Sequence, residues 1–258
     1  KINGGYYCFG IMTDIGGNPT FFFMSSFDTA GNYEWVKKYV NASGTIASYT
    51  PPKIKQLANG DFVVSKNELP SMGILKIDSN GNLIWGKEFY EDSFKNPSFD
   101  VLATPDGGFI TCGKSSGDKM FVKTDANGVV QWSKILTESN FTYNHPKTII
   151  LTNDGNIIVA GMQTDYNNGG FMAFIMKMDI NGNTLWYKNY QDQLIATDFY
   201  FREVIELGNG NFVFAGVDCS SIYPVIVITD GNGNIISSDV ISVPSIGFVY
   251  NIPIKLRK

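Results

Sequence analysis

Hydrophobic and polar residues alternate in short runs along this chain, and the runs recur at a fixed interval. In Leu83-Ile-Trp85-Gly-Lys87 the residues Leu83, Trp85 and Lys87 fall on one face of an extended strand, and Ile84 and Gly86 on the other. The same alternation follows an Asp-x-x-Gly corner in Asp28-Thr-Ala-Gly31-Asn-Tyr-Glu-Trp35-Val-Lys37 and in Asp78-Ser-Asn-Gly81-Asn-Leu-Ile-Trp85-Gly-Lys87. It returns in Asp125-Ala-Asn-Gly128-Val-Val-Gln-Trp132-Ser-Lys134, in Asp179-Ile-Asn-Gly182-Asn-Thr-Leu-Trp186-Tyr-Lys188 and, degraded, in Asp230-Gly-Asn-Gly233-Asn-Ile-Ile-Ser237-Ser-Asp239. The turn glycines are spaced by 50, 47, 54 and 51 residues. A period near 50 with strand-like content points to propeller blades or a stacked array.

A second motif interleaves with the first. It reads Asn3-Gly-Gly-Tyr-Tyr-Cys-Phe-Gly10, Asn59-Gly-Asp-Phe-Val-Val-Ser-Lys66, Asp106-Gly-Gly-Phe-Ile-Thr-Cys-Gly113, Asp154-Gly-Asn-Ile-Ile-Val-Ala-Gly161 and Asn209-Gly-Asn-Phe-Val-Phe-Ala-Gly216. Asn-Gly or Asp-Gly ahead of a β-branched or aromatic run is a strong hairpin signal. Each repeat therefore resolves into four antiparallel strands. In the second repeat these are Lys53–Leu57, Asp61–Ser65, Gly73–Asp78 and a fourth from Asn82 to about Phe89. The Asp side chain caps the corner and the Gly takes the positive φ. A tryptophan fixed on one face of the fourth strand is what packing between neighbouring blades needs, so these tryptophans read as structural.

The chain opens on a second-strand motif. It closes on Ile252-Pro-Ile-Lys-Leu256, which matches the first-strand segment Pro52-Lys-Ile-Lys-Gln56. The expectation is an all-β, five-bladed propeller in one domain. Its repeats cover about 1–50 plus 248–258, 51–97, 98–144, 145–199 and 200–247, and the C-terminal strand closes the ring onto the N-terminal blade. A closed ring leaves no free sheet edge.

Composition narrows the function classes. A net charge of -4 offers no basic footprint for nucleic acid, and no apolar run reaches membrane-span length. The start at Lys1 reads as a mature or excised fragment, a monomeric domain of a larger protein. Cys8, Cys112 and Cys219 lie in different repeats without ligand spacing, and His145 is the single histidine. No cofactor and no metal is therefore expected. Asp165-Tyr-Asn-Asn-Gly169 resembles part of a calcium loop without its remaining ligands and reads as a turn. Asn41-Ala-Ser and Asn140-Phe-Thr fit the glycosylation tripeptide, which matters only in a eukaryotic secretory host.

The Asp-x-x-Gly-Asn-x-x-Trp-x-Lys and Asp-Gly-Gly-Phe-Ile-x-x-Gly motifs resemble repeat propellers of secreted Bacteroidetes proteins associated with type IX secretion. The resemblance covers all five repeats and implies a secreted or cell-surface bacterial protein with an adhesin-like role. The corner is also similar to the tryptophan-docking motif of quinoprotein dehydrogenases and outer-membrane assembly lipoproteins, without their quinone and metal ligands. The sialidase Asp-box, Asp-x-Gly-x-x-Trp, differs by one residue on each side of the glycine. Kelch repeats share the period but place their aromatics elsewhere.

Individuality resides in the loops between second and third strands and between repeats: 10–20, 40–51, 91–98, 138–146, 163–170, 192–200 and 218–224. Scaffolds carry specificity in such loops. Tyr49, Phe94, Tyr143, Tyr166, Tyr200 and Tyr223 stand there as candidate ligand-binding rings for a glycan or a protein, alongside Phe141 and Phe199. Asp100 and Glu203 occupy equivalent places on innermost strands, where Lys53 and Thr148 stand in other repeats. They are candidate channel-lining acids. Two carboxylates about 5–10 Å apart would suit a glycosidase, the alternative to a binding module without catalytic residues. A structural spacer without a ligand is the third reading.

Overall fold

The computed structural model describes residues 4–13, 16, 19–40, 52–68, 71–89, 98–138, 141–165, 170–190, 198–219 and 223–241. The described residues form nineteen strands and no helix. The first sheet has three strands, β1 (Tyr6–Thr13), β2 (Pro19–Phe27) and β3 (Tyr33–Tyr39), in the order β1-β2-β3. Four four-stranded sheets follow, each in sequence order. The second holds β4 (Ile54–Gln56), β5 (Phe62–Glu68), β6 (Ser71–Ile77) and β7 (Leu83–Phe89). The third holds β8 (Ser98–Ala103), β9 (Phe109–Ser115), β10 (Asp118–Thr124) and β11 (Val130–Leu136). The fourth holds β12 (Phe141–Leu151), β13 (Ile157–Asp165), β14 (Phe171–Met178) and β15 (Thr184–Tyr190). The fifth holds β16 (Phe199–Glu206), β17 (Phe212–Asp218), β18 (Pro224–Thr229) and β19 (Ile235–Val240). Sequential antiparallel meanders of this kind are propeller-like.

The chain divides into two compact units, residues 1–116 with 122–133, and residues 117–121 with 134–258. In the first unit Phe22 and Met24 of the first sheet share a core with Phe62, Val64 and Ile77 of the second. In the second unit Ile158, Ile175 and Tyr190 pack against Phe201, Phe214 and Val227.

The predicted corners form as expected. Asp78 Oδ1 accepts the backbone N–H groups of Asn80 at 2.9 Å and Asn82 at 2.7 Å, and Oδ2 accepts the Asn82 side-chain amide at 2.9 Å. Asp28, Asp179 and Asp230 repeat the arrangement. The Asn32 side chain donates to Asp28 and holds its carboxyl below the usual carboxylate range.

Three of the corner glycines, Gly81, Gly128 and Gly233, serve a second purpose. Gly81 has φ 78°, and a Cβ there would stand 2.6 Å from the Trp35 ring. Tyr39 donates its hydroxyl to the Gly81 carbonyl at 2.8 Å. A Cβ on Gly128 would meet Lys87 at 2.7 Å and Trp85 at 3.2 Å, and one on Gly233 would meet Trp186 at 2.9 Å. The last strand of one sheet thus docks its Trp, Lys and aromatic residues onto the corner of the next.

Two expectations need correction. Residues 141–146, assigned to a loop, belong to β12, because a bulge lets the strand continue past Pro146. Leu83 and Ile84 do not separate cleanly onto opposite faces: both are exposed. The β6–β7 register shifts between Lys76 and Ile77, which places one extra residue after the corner. The segment 252–256 lies outside the described residues.

Candidate functional site

The first strands of three sheets carry the same irregularity. Register shifts fall between Ser98 and Asp100, between Pro146 and Thr148, and between Phe201 and Glu203. Behind each shift, Asp100 faces Cys112, Thr148 faces Ala160 and Glu203 faces Ala215. Ser65 hydrogen-bonds Lys53 in the second sheet. Asp100, Thr148, Glu203 and Lys53 are therefore equivalent, as the repeat alignment predicts. The bulge also explains the motif-ending glycine. A Cβ on Gly161 would stand 2.0 Å from the His145 carbonyl oxygen, and one on Gly216 would stand 2.1 Å from that of Tyr200.

Asp100 itself is 0% exposed. Its Oδ1 accepts the Val101 N–H at 2.8 Å and lies 3.9 Å from Lys55 Nζ. Glu203 is half-buried and belongs to the other compact unit.

A denser constellation lies within the second unit, at the end of the sheets that carries the β9–β10 turn and the β11–β12 connection. Tyr143 has φ 51° and Ser116 has φ 49°, the two non-glycine residues in the left-handed region among those described. Ser116 is accounted for by its hairpin: with Gly117 at φ 100° it forms the two-residue turn that joins β9 to β10. Tyr143 sits at a second bulge of β12, between Thr142 and His145. That bulge turns two adjacent side chains in opposite directions. Tyr143 is 63% exposed, and Asn144 is fully buried. Asn144 is held by its backbone N–H, which donates to the Gly117 carbonyl at 2.9 Å, and by its side-chain amide, which donates to the same oxygen at 3.0 Å.

Beneath this bulge lies Lys119, 0% exposed. Its Nζ donates to Asn144 Oδ1 at 2.8 Å and Gln163 Oε1 at 3.2 Å, and stands 3.2 Å from Glu138 Oε1. The ammonium also lies 4.6 Å from the Phe174 ring centre and 4.9 Å from that of Tyr187. Burial pushes the Lys119 ammonium below the usual lysine range, and the Glu138 carboxylate opposes that shift. The Tyr187 hydroxyl donates to Gln163 Oε1. Burial, with the Glu138 charge beside it, raises the Tyr187 phenol well above its ordinary value. Gln163 Nε2 donates onward to Asn189 Oδ1 at 2.8 Å. A buried cation with every donor answered fixes one geometry for its surroundings.

Of this group the sequence motifs single out Tyr143 alone. Lys119 is nevertheless anomalous in the repeat. Counted back from the corner aspartate, its position is Phe22, Met72 and Ala173 in other repeats, all buried and apolar. Tyr187 likewise follows the strand tryptophan where Val36, Gly86 and Ser133 stand elsewhere.

The remaining candidates divide. Tyr200 is half-buried, and the Arg202 guanidinium covers its ring at 5.1 Å and donates to its hydroxyl. It presents at most one free face. Tyr223 is 37% exposed, and its carbonyl accepts the Asp218 N–H at 2.9 Å. Nearby, Asp198 accepts the Phe171 N–H at 2.7 Å. Tyr49, Phe94 and Tyr166 lie outside the described residues.

No known family model matches the chain, and no curated protein does. Solved structures are similar in fold. An endo-1,4-β-xylanase from Bacteroides thetaiotaomicron superposes with a TM-score of 0.53 at 11% identity, over 93% of this chain and 91% of that one. An endo-arabinase from the same organism gives 0.50 at 13% identity, over 97% and 93%. The dihydro-heme d1 dehydrogenase NirN gives 0.52 at 14% identity, over 90% of this chain and 46% of that one. At such identities the likeness concerns fold alone. The neighbours are propeller-like, Bacteroidetes proteins are among them, and several bear carbohydrate-related names.

Proposed function

We propose that the chain is a five-bladed propeller acting as an extracellular or cell-surface binding module, with a glycan held beside Tyr143. The sequence likeness of segment 252–256, which lies outside the described residues, to the first-strand segment 52–56 supports closure of the ring. Tyr143 carries the functional reading. A bulky residue in the left-handed region costs on the order of 1 kcal/mol, and such strain gathers at functional sites. Here it presents a ring to water next in sequence to Asn144, which anchors a buried polar network. Tyrosine suits that place, with an apolar face and a polar tip. The carbohydrate-related names among the fold neighbours agree with a glycan. The module binds rather than hydrolyses, since the burial of Asp100 supports a packing role for that carboxylate. The motif resemblance to secreted Bacteroidetes propellers supports the location. The module works as a monomeric part of a larger protein.

The test is a broad glycan array probed with the wild type and with Tyr143→Gly. Glycine adopts the left-handed conformation freely, so the variant removes the ring without breaking the bulge. Binding that disappears in Tyr143→Gly, with an unchanged or slightly raised melting temperature, is the expected outcome. Undiminished binding would move the site elsewhere. A blank array would favour a protein ligand or a spacer.

A further inference from the structure

Resting on the glycan-binding reading, we infer that Lys119 is the positioning residue of the site: its buried ammonium holds Asn144 inward and so fixes the neighbouring Tyr143 ring outward, without touching ligand. Tyr143 and Asn144 are consecutive, so the backbone that seats one side chain sets the direction of the other. Asn144 is seated three times over. Its N–H and its side-chain amide both donate to the Gly117 carbonyl, at 2.9 and 3.0 Å, and its Oδ1 accepts from Lys119 Nζ at 2.8 Å. A left-handed tyrosine persists only where its surroundings over-determine it. Of the three bonds that from Lys119 is charge-assisted, and such bonds are the stronger kind.

Other groups hold the charge itself in place. Glu138 Oε1 stands 3.2 Å from Lys119 Nζ, and Gln163 Oε1 accepts at 3.2 Å. An ammonium has three N–H donors, and with Asn144 these partners engage all of them. The stacked rings of Phe174 and Tyr187 have their centres 4.6 and 4.9 Å from the ammonium. With its side chain 0% exposed, Lys119 reaches a ligand only through Asn144 and the backbone beside it.

The repeats supply an internal comparison. Where Lys119 stands, others have Phe22, Met72 and Ala173. The first strands that follow Met72 and Ala173 are β8 and β16, and each carries one register shift. The first strand that follows Lys119 is β12, which carries a second shift between Thr142 and His145. The left-handed tyrosine sits there. The extra bulge thus accompanies the buried cation.

The experiment is a double-mutant cycle in the intact chain, built from Tyr143→Gly and Lys119→Met and read by chemical denaturation. Glycine takes the left-handed conformation freely, so Tyr143→Gly relieves strain only while the anchor enforces it. The substitution is expected to change the folding equilibrium constant about fivefold more favourably in wild type than in Lys119→Met, the strain of one left-handed residue. An equal effect in both backgrounds, the result for a lysine that only stabilises the fold, would overturn the inference. If Lys119→Met fails to fold, Asn144→Ala takes its place in the cycle. Binding is then read by titrating xylan, arabinan and galactan oligosaccharides into wild type and the folded anchor variant. The variant is expected to bind about tenfold or more weakly, the scale of a lost anchor ring. Equal binding by the two would overturn the inference and leave the glycan-binding reading intact. No binding by wild type would overturn that reading, and the positioning role with it.

Discussion

Replacing Gly161 by alanine isolates the bulge that shapes β12. The new Cβ would stand 2.0 Å from the His145 oxygen and 2.9 Å from the Lys147 nitrogen. A carbon–oxygen contact normally opens to about 3.3 Å, so β12 and β13 must part by about 1 Å. The obstacle is backbone, which no rotamer change relieves. Overpacking a tight site costs about 1–3 kcal/mol, and a backbone obstacle places this variant near 3. In a chain of this size that corresponds to a fall of about 6–12 °C in melting temperature. Two other glycines separate the clash from simpler causes. Gly155 has φ 78° but no atom near a new Cβ, so Gly155→Ala should lose about 1 kcal/mol from conformation alone. Gly208 has neither feature, and Gly208→Ala should lie within about 0.5 kcal/mol of wild type. Gly216→Ala, with its clash at 2.1 Å, should repeat the Gly161 result. Denaturant unfolding of the four variants is the assay. A Gly161→Ala loss no larger than that of Gly208→Ala would refute the reasoning.

Other perturbations address separate parts of the account. Hydrogen bonds led by that from Lys123 lower the Asp106 carboxyl to about 2 from 3.8. Stability from this group is present above pH 3.8 and drains away as the pH falls toward 2, so wild type should lose stability more steeply than Asp106→Asn over that interval. Parallel slopes in acid denaturation would contradict it. Lys119→Met strands the Glu138, Asn144 and Gln163 acceptors, and should cost about 3 kcal/mol by chemical denaturation. A neutral result would mean that the network is not rigid.

The sheets were legible because their signals are local and repeated. Asn-Gly and Asp-x-x-Gly corners each need a positive φ and a capping carboxylate, so Gly81 and Asp78 announce a turn without reference to the rest of the fold. Equivalent places on the inner strands, Asp100 with Glu203, followed from alignment of the same repeats. The role of Gly161 did not, because a glycine without positive φ is required only by a carbonyl on another strand. The candidate site was legible only in part. Tyr143 was marked by its loop-like setting, although that setting is a bulged strand. The network anchored by its neighbour Asn144 draws Lys119, Glu138, Gln163 and Tyr187 from four separate segments that meet only in the folded unit. Lys119 could have been found as a charged residue at an apolar position of the repeat.

The most direct test of the central claim is an NMR titration of the labelled chain with the best-binding oligosaccharide. The account predicts shift changes concentrated at the amides of 117–119, 137–138 and 141–144, with the Tyr187 ring following. Changes centred instead on the Gly81, Gly128 and Gly233 corners would place the ligand at the opposite, structurally uniform turns and contradict the assignment of the site.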